Sequence, residues 1–249
     1  MKRIKLIVAY EGTNYQGWQI QPAGTTIEGI LNQKLTELTS EPVAVIGASR
    51  TDSGVHALGN VAIFDTNTKI PPEKISYALN QRLPDDIVVQ HSCEVPSDFH
   101  PRKCESRKTY EYHILNRTFP LPLHRNDCYF TYRNLDVERM RQAAAYLVGT
   151  HDFKSFCSIH AQVKTTIRTI YSLTVCKEQD IITIRVTGSG FLYNMVRIIA
   201  GTLLQVGTGE RSPLEMADIL KAKDRAAAGP TAPAHGLTMI GIEFGEYLK

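Results

Sequence analysis

The segment Ala48-Ser-Arg-Thr-Asp-Ser-Gly-Val-His-Ala-Leu-Gly-Asn60 constrains this chain more than any other. An apolar run, Val43 to Ala48, leads into Arg50-Thr51-Asp52. Gly54 follows, and a second apolar run extends from Val61 to Phe64. Two runs of strand length around a polar, glycine-bearing centre predict strand, tight turn, strand. Gly54 supplies the positive φ that a sharp turn needs. Asp52 then sits at the tip of a rigid frame, and two readings are open. It is a turn residue that hydrogen-bonds its own backbone, or a carboxylate held out to meet a ligand. A turn between two buried strands rarely needs Arg, Asp and His together. His56, four residues on, reads as orienting the loop, with proton transfer as the alternative role.

The rest of the chain predicts alternating strands and helices. Ile4, Leu6 and Val8 share one face of an N-terminal strand. Thr25-Thr-Ile-Glu28 has the capping-box pattern and opens a helix with the stripe Ile27, Ile30, Leu31, Leu35 and Leu38. Strands are expected over 43–48 and 60–65. A helix starts at Pro71-Pro72, and a further strand covers 86–95. The polar, basic stretch 96–108, with Pro96 and Pro101, marks the domain boundary. The expected division is an N-terminal domain over 1–103, carrying the Asp loop, and a C-terminal domain over 104–249. The second half predicts a strand over 107–115, a helix over 134–148 and a strand hairpin over 167–177 and 180–187. A helix over 191–206, one opened by Ser212-Pro-Leu-Glu215, and a closing strand over 237–244 complete it. The fold class is α+β, with two similar mixed halves and largely antiparallel sheets.

The helix over 191–206 is apolar nearly all round, as a buried helix is. Arg197 sits in its middle, on the side away from the main apolar stripe. A guanidinium keeps its charge in a protein, so burial calls for an anion. Asn194, Ala200 and Gly201 beside it fit a cleft wall. A structural ion pair or a snorkelling Arg is the competing reading. Tyr110, in an alternating strand after a basic cluster, reads as a base-stacking or proton-relay residue, or as core.

Composition excludes several classes. The hydrophobic share of 43% supports a sizeable core, and no apolar run reaches the ~18 residues of a membrane span. The N-terminus alternates charged and apolar residues and lacks the apolar core of a signal peptide. Five scattered cysteines without a Cys-x-x-Cys pair suggest neither zinc nor a disulfide framework, and so reduced thiols in the cytoplasm. His151 and His160 have no metal spacing. Phosphate-loop, zinc-protease, dinucleotide and serine-elbow motifs are missing. The net charge of +3 is too small to argue for nucleic acid alone. However, Arg102, Lys103, Arg107, Lys108, Arg117, His124, Arg125, Lys164 and Arg168 interleave with Tyr110, Tyr112, Tyr129, Phe130 and Tyr132. That mixture suits phosphate contact with base stacking, or a solvated face beside core aromatics.

Taken together, these residues resemble the TruA-type tRNA pseudouridine synthases. Arg50-Thr-Asp-Ser-Gly-Val-His56 is similar to the family's catalytic motif. Tyr10-Glu-Gly-Thr-Asn-Tyr-Gln-Gly-Trp-Gln19 is similar to its N-terminal signature, and Lys108-Thr-Tyr-Glu-Tyr112 to its tyrosine motif. Gly190-Phe-Leu-Tyr-Asn-Met-Val-Arg-Ile-Ile-Ala-Gly201 matches its arginine helix, and Thr231-Ala-Pro-Ala-His-Gly-Leu237 its C-terminal motif. Ser49, Ser53 and Asn60 depart from the family's usual Gly, Ala and Gln but leave Arg50, Asp52 and Gly54 in place.

The resemblance implies an isomerase with a pseudouridine synthase fold and a central RNA-binding cleft. It would convert uridine to pseudouridine at positions 38, 39 and 40 of the tRNA anticodon stem-loop. Asp52 would be the nucleophile, acting at ribose C1′ or through a glycal. Arg197 would pair with Asp52 and keep it ionised. Tyr110 would stack on the uracil and help remove the C5 proton, and Arg50 would help flip the nucleotide out of its stem. His56 and Leu237 would complete the substrate site. No cofactor and no metal is implied. The partners are tRNA and a second copy in a homodimer, with no membrane. A catalytically inactive tRNA-binding protein on the same fold is the alternative reading. A hydrolase with an Asp nucleophile is another, but its usual cluster of metal-binding carboxylates is not visible.

Overall fold

The computed structural model describes residues 1–159 and 163–245; His160 lies outside them. The chain divides into two compact units, Met1–Ser106 with Met239–Lys249, and Arg107–Thr238.

In chain order, the first unit contains β1 (Lys2–Tyr10), α1 (Ile27–Thr39), β2 (Ile46–Gly47), β3 (His56–Thr66), α2 (Ile75–Asn80) and β4 (Ile87–Val95). The second contains β5 (Ser106–Asn116), β6 (Tyr129–Thr131), α3 (Val137–Ala145), β7 (Gly149–Asp152), β8 (Ile167–Glu178), β9 (Ile181–Gly188), α4 (Met195–Gly207) and α5 (Glu215–Ala222). β10 (Leu237–Phe244) starts at the end of the second unit and continues, from Met239, in the first.

The first unit's strands run in the order β4-β1-β3-β10, with β2 on β3. β1 pairs antiparallel with both β3 and β4. Ile4, Leu6 and Val8 are fully buried, as their period-2 spacing predicts. Ala48, Val61, Ile63, Val95, Phe99 and Phe244 form a core cluster, in which Phe99 and Phe244 meet edge to face at 5.3 Å. Ile27, Leu31 and Leu35 bury the apolar face of α1. The N-cap of α1 is Thr26, one residue later than the sequence pattern suggests, and its side chain accepts from the Gly29 N–H at 3.2 Å. Glu28 turns outward instead, to the Ile20 N–H at 2.9 Å.

The strand expected over 43–48 shortens to the two residues of β2. The Val43 N–H donates to the Thr36 hydroxyl (3.1 Å) and the Val45 N–H to Asn32 Oδ1 (2.8 Å). Side chains of α1 thus take the hydrogen bonds that a strand partner would have made. Conversely, β3 begins at His56, four residues before the expected start.

The second unit's strands run β5-β9-β8-β7, all antiparallel, and β6 lies parallel to β5. β8 and β9 form the expected hairpin through Gln179 and Asp180, with Gln179 at φ 52°. α4 starts at Met195 rather than 191 because Asn194 takes a left-handed conformation, φ 61°, that ends the preceding turn. Most of its residues are buried, as its all-round apolarity predicts. Among the described residues no helix is long and apolar enough to cross a membrane.

Candidate functional site

Residues 48–55 form the loop between β2 and β3. The Val55 N–H donates to the Asp52 carbonyl at 3.1 Å, closing a four-residue turn, and Gly54 at its third position has φ 76°. A positive φ there defines a type II turn and explains the glycine. Arg50 is exposed, Asp52 is half-buried and Thr51 between them is buried.

The segment 10–18 clamps this loop from one side. The Trp18 N–H donates to the Thr51 carbonyl at 3.1 Å, and the Gly54 N–H to the Tyr15 carbonyl at 3.3 Å. The Ser53 hydroxyl donates to the same Tyr15 carbonyl at 3.2 Å. Gly12 and Gly17 permit this approach: a Cβ on Gly12 would stand 2.0 Å from the Val55 carbonyl oxygen. The Tyr15 hydroxyl is fixed in turn to Asp86, and burial with that carboxylate raises its pKa.

A buried polar chain supports the loop from beneath. Asn60, Tyr10 and Thr51 are 0%, 5% and 7% exposed. Asn60 Nδ2 donates to the Ser49 carbonyl (3.1 Å) and to the Tyr10 hydroxyl (3.3 Å), while its Oδ1 accepts the Val61 N–H (2.9 Å). The Tyr10 and Thr51 hydroxyls pair at 2.7 Å. A phenol that accepts from Asn60 satisfies its own buried proton by donating to Thr51. Burial pushes the Tyr10 pKa up to about 12.

His56, at the first position of β3, is buried, and its Nδ1 accepts the Gly12 N–H at 3.0 Å. That bond holds the ring against the clamp. Arg102, from the basic stretch, donates through Nε to the Gly47 carbonyl at 2.7 Å and so braces the loop's first strand.

The second unit holds the remaining expected residues. Tyr110 lies on β5 opposite Val186 of β9. It is 7% exposed, with its ring edge-on to Phe191 at 5.2 Å. Tyr112, two residues on, donates from its hydroxyl to the Pro233 carbonyl at 2.9 Å, and burial raises its pKa. Arg197 sits in the first turn of α4, not its middle, and is half-buried rather than buried. Its Nε donates to the Ala232 carbonyl (2.7 Å) and its Nη1 to Asn194 Oδ1 (2.9 Å). The Ala232 N–H returns a bond to the Arg197 carbonyl at 3.1 Å. Gly201 lets the chain at 229–232 lie against α4: a Cβ there would stand 1.9 Å from the Pro230 oxygen. Leu237 is buried at the start of β10, next to Gly236, which packs on the Tyr112 ring.

Much of the basic, aromatic mixture is engaged locally. Arg107 stacks on Tyr171 at 4.9 Å. Arg117 pairs with Asp180, and His124 with Asp127. Arg168 bonds the carbonyls of Thr165 and Ile167. His124, Asp127 and Cys128 place their donor atoms within 4.8 Å of one another, a grouping the histidine and cysteine spacings did not reveal.

Sequence reasoning missed the supporting residues Tyr10, Thr51, Asn60, Gly17 and Phe191. One signal was available: Asn60 is an amide within an apolar strand, and a buried amide demands partners.

A family model described as tRNA pseudouridine synthase matches residues 6–102 and 143–245. Arg50, Asp52, His56, Arg197 and Leu237 lie inside the matched segments, and Tyr110 lies between them. The tRNA pseudouridine synthase A of Thermoanaerobacter sp. (strain X514) is 51% identical over 242 residues, covering 97% of this chain and 99% of that protein. Proteins of the same name from Acetivibrio thermocellus and Clostridium acetobutylicum are 47% and 48% identical over 244 residues, each covering 98% of this chain and 100% of the relative. With a clamped Asp52 loop in one unit, Tyr110 and Arg197 in the other, and likeness over almost its full length, the chain belongs to the tRNA pseudouridine synthase family, whose members are isomerases.

Proposed function

We propose that this protein converts uridine to pseudouridine in the tRNA anticodon stem-loop, at positions 38, 39 and 40, with the Asp52 carboxylate as nucleophile. The observation that carries this reading is the doubly fastened loop. It holds a half-buried carboxylate in place, and a carboxylate bound for mere hydrogen bonding needs no such frame. The carboxylate acts at ribose C1′, by direct attack or by elimination through a glycal. The bond from C1′ to N1 breaks, the uracil turns, and a bond from C1′ to C5 forms. C5 loses a proton and N1 gains one, so the product is an isomer and no electron or phosphoryl donor is consumed.

In this reading Arg50, exposed on a fixed backbone, helps flip the nucleotide, since a stacked base cannot be reached in place. Tyr110 stacks on the uracil and assists removal of the C5 proton. Arg197 supplies the positive charge that keeps the nucleophile ionised. His56 orients the loop and Leu237 lines the uracil site. The enzyme acts as a homodimer in the cytoplasm. All five cysteines are free thiols, which supports a reducing compartment.

The test is incubation with an unmodified tRNA carrying uridines at these positions, followed by pseudouridine mapping. Wild type is expected to form pseudouridine. Asp52→Ala and Asp52→Asn are expected to form none while still binding tRNA. Product from Asp52→Asn, with deamidation excluded, overturns the nucleophile assignment. No product from wild type overturns the function.

A further inference from the structure

Of the polar groups in the first unit, those beneath the loop have the most specific arrangement. Ser49 and Thr51 flank Arg50 directly. The Ser49 carbonyl is held by Asn60, and the Thr51 hydroxyl by Tyr10, which Asn60 also holds. A single buried amide therefore reaches both sides of Arg50, once directly and once through a phenol. Its orientation is fixed, because Oδ1 is occupied by the Val61 N–H and Nδ2 must face the loop. The three side chains come from β1, β3 and the loop itself, so the chain of bonds refers the loop to two rigid strands.

We propose that Asn60, Tyr10 and Thr51 are positioning residues for turnover, setting the backbone on both sides of Arg50 and, one residue on, the aim of Asp52. None of them touches the substrate. Their effect is on the geometry of the groups that do, and an error of about 1 Å in such a geometry can lower a rate on the order of 100-fold. A purely structural network predicts something else: lower stability, with a normal rate in whatever fraction is folded. The proposal rests on the pseudouridine synthase reading above.

The test uses the full chain and unmodified tRNA, with kcat and KM measured well below each variant's unfolding temperature. Tyr10→Phe and Thr51→Val each remove one hydroxyl at almost constant shape. Each is expected to lower kcat about 10-fold or more while KM for tRNA changes less than about threefold. The double variant is expected to be no slower than the worse single variant, since both cut the same link. Thr51→Ser, which restores the hydroxyl, is expected to recover most of the rate lost in Thr51→Val. Wild-type kcat in folded Tyr10→Phe and Thr51→Val overturns the proposal and leaves the function standing. Multiplicative losses in the double variant, or no recovery in Thr51→Ser, overturn the link between them. Absence of product from wild type instead overturns the synthase reading on which the proposal rests.

Discussion

Gly17 lies so close to Thr51 that a Cβ on it would stand 2.5 Å from the Thr51 carbonyl oxygen, and its φ of 82° is one that L side chains rarely adopt. Gly209 has nearly the same φ, 81°, with nothing within 4 Å of such a Cβ. The two positions separate backbone strain from close approach. Gly209→Ala is expected to cost about 1–2 kcal/mol, from the left-handed backbone alone, with turnover unchanged. Gly17→Ala is expected to cost about 1–3 kcal/mol more, because the clamp must move off the loop. It should also slow turnover at temperatures where the variant is folded. Denaturant unfolding and single-turnover rates on both variants check this.

Arg197 forms a fork between Ala232 and Asn194, and a lysine cannot reproduce it. Arg197→Lys is therefore expected to lose turnover at least about 10-fold although the charge is kept, and Arg197→Leu more. Both should damage activity more than stability. If either variant is largely unfolded but its folded fraction turns over normally, the residue is structural.

Tyr110→Phe keeps the ring, and with it the edge contact to Phe191 that is worth about 0.5–1.5 kcal/mol. Folding and tRNA affinity are expected to stay near wild type while pseudouridine formation falls sharply, because only the hydroxyl is gone. An unchanged rate would reduce Tyr110 to a stacking surface.

The buried Tyr10 hydroxyl makes the fold sensitive to alkali. Its folded pKa of about 12 lies above the unfolded value near 10, so its contribution is fully present below pH 10 and is lost as pH rises toward 12. At 1.36 kcal/mol per unit the loss is on the order of 2–3 kcal/mol. Tyr10→Phe is expected to flatten the alkaline limb of the stability curve over that window. Asp65 works in the opposite sense. Hydrogen bonding to Arg3 lowers its pKa, so its contribution is present above about pH 4 and lost as pH falls further. For this partly exposed pair the amount is about 1 kcal/mol or less.

Where periodicity and burial coincide, the elements are legible in the sequence: β1 from Ile4, Leu6 and Val8, α1 from its apolar stripe, and the hairpin of β8 and β9. The boundaries that differ do so for reasons of bonding. Val43 and Val45 look like strand residues, but Asn32 and Thr36 of α1 claim their N–H groups, a long-range match invisible to local pattern. Residues 191–194 carry the apolar pattern of α4, yet Asn194 turns left-handed and frees Phe191 to pack on Tyr110. In the candidate site, residue types with intrinsic chemistry were readable: the carboxylate at 52, the guanidinium at 197 and the phenol at 110. The supporting groups were not, because an Asn, a Thr and a Tyr acquire their meaning only when β1, β3 and the loop are brought together.

Trp18 is the chain's single tryptophan. It is fully buried, its indole packs on Gly47 at the head of the loop, its ring centroid lies 6.0 Å from that of Tyr10, and its backbone N–H donates to the Thr51 carbonyl. The protein thus carries one native indole fluorophore, seated against the very loop that presents Asp52. Intrinsic emission, with no label attached, reports whether that loop holds or shifts when RNA arrives.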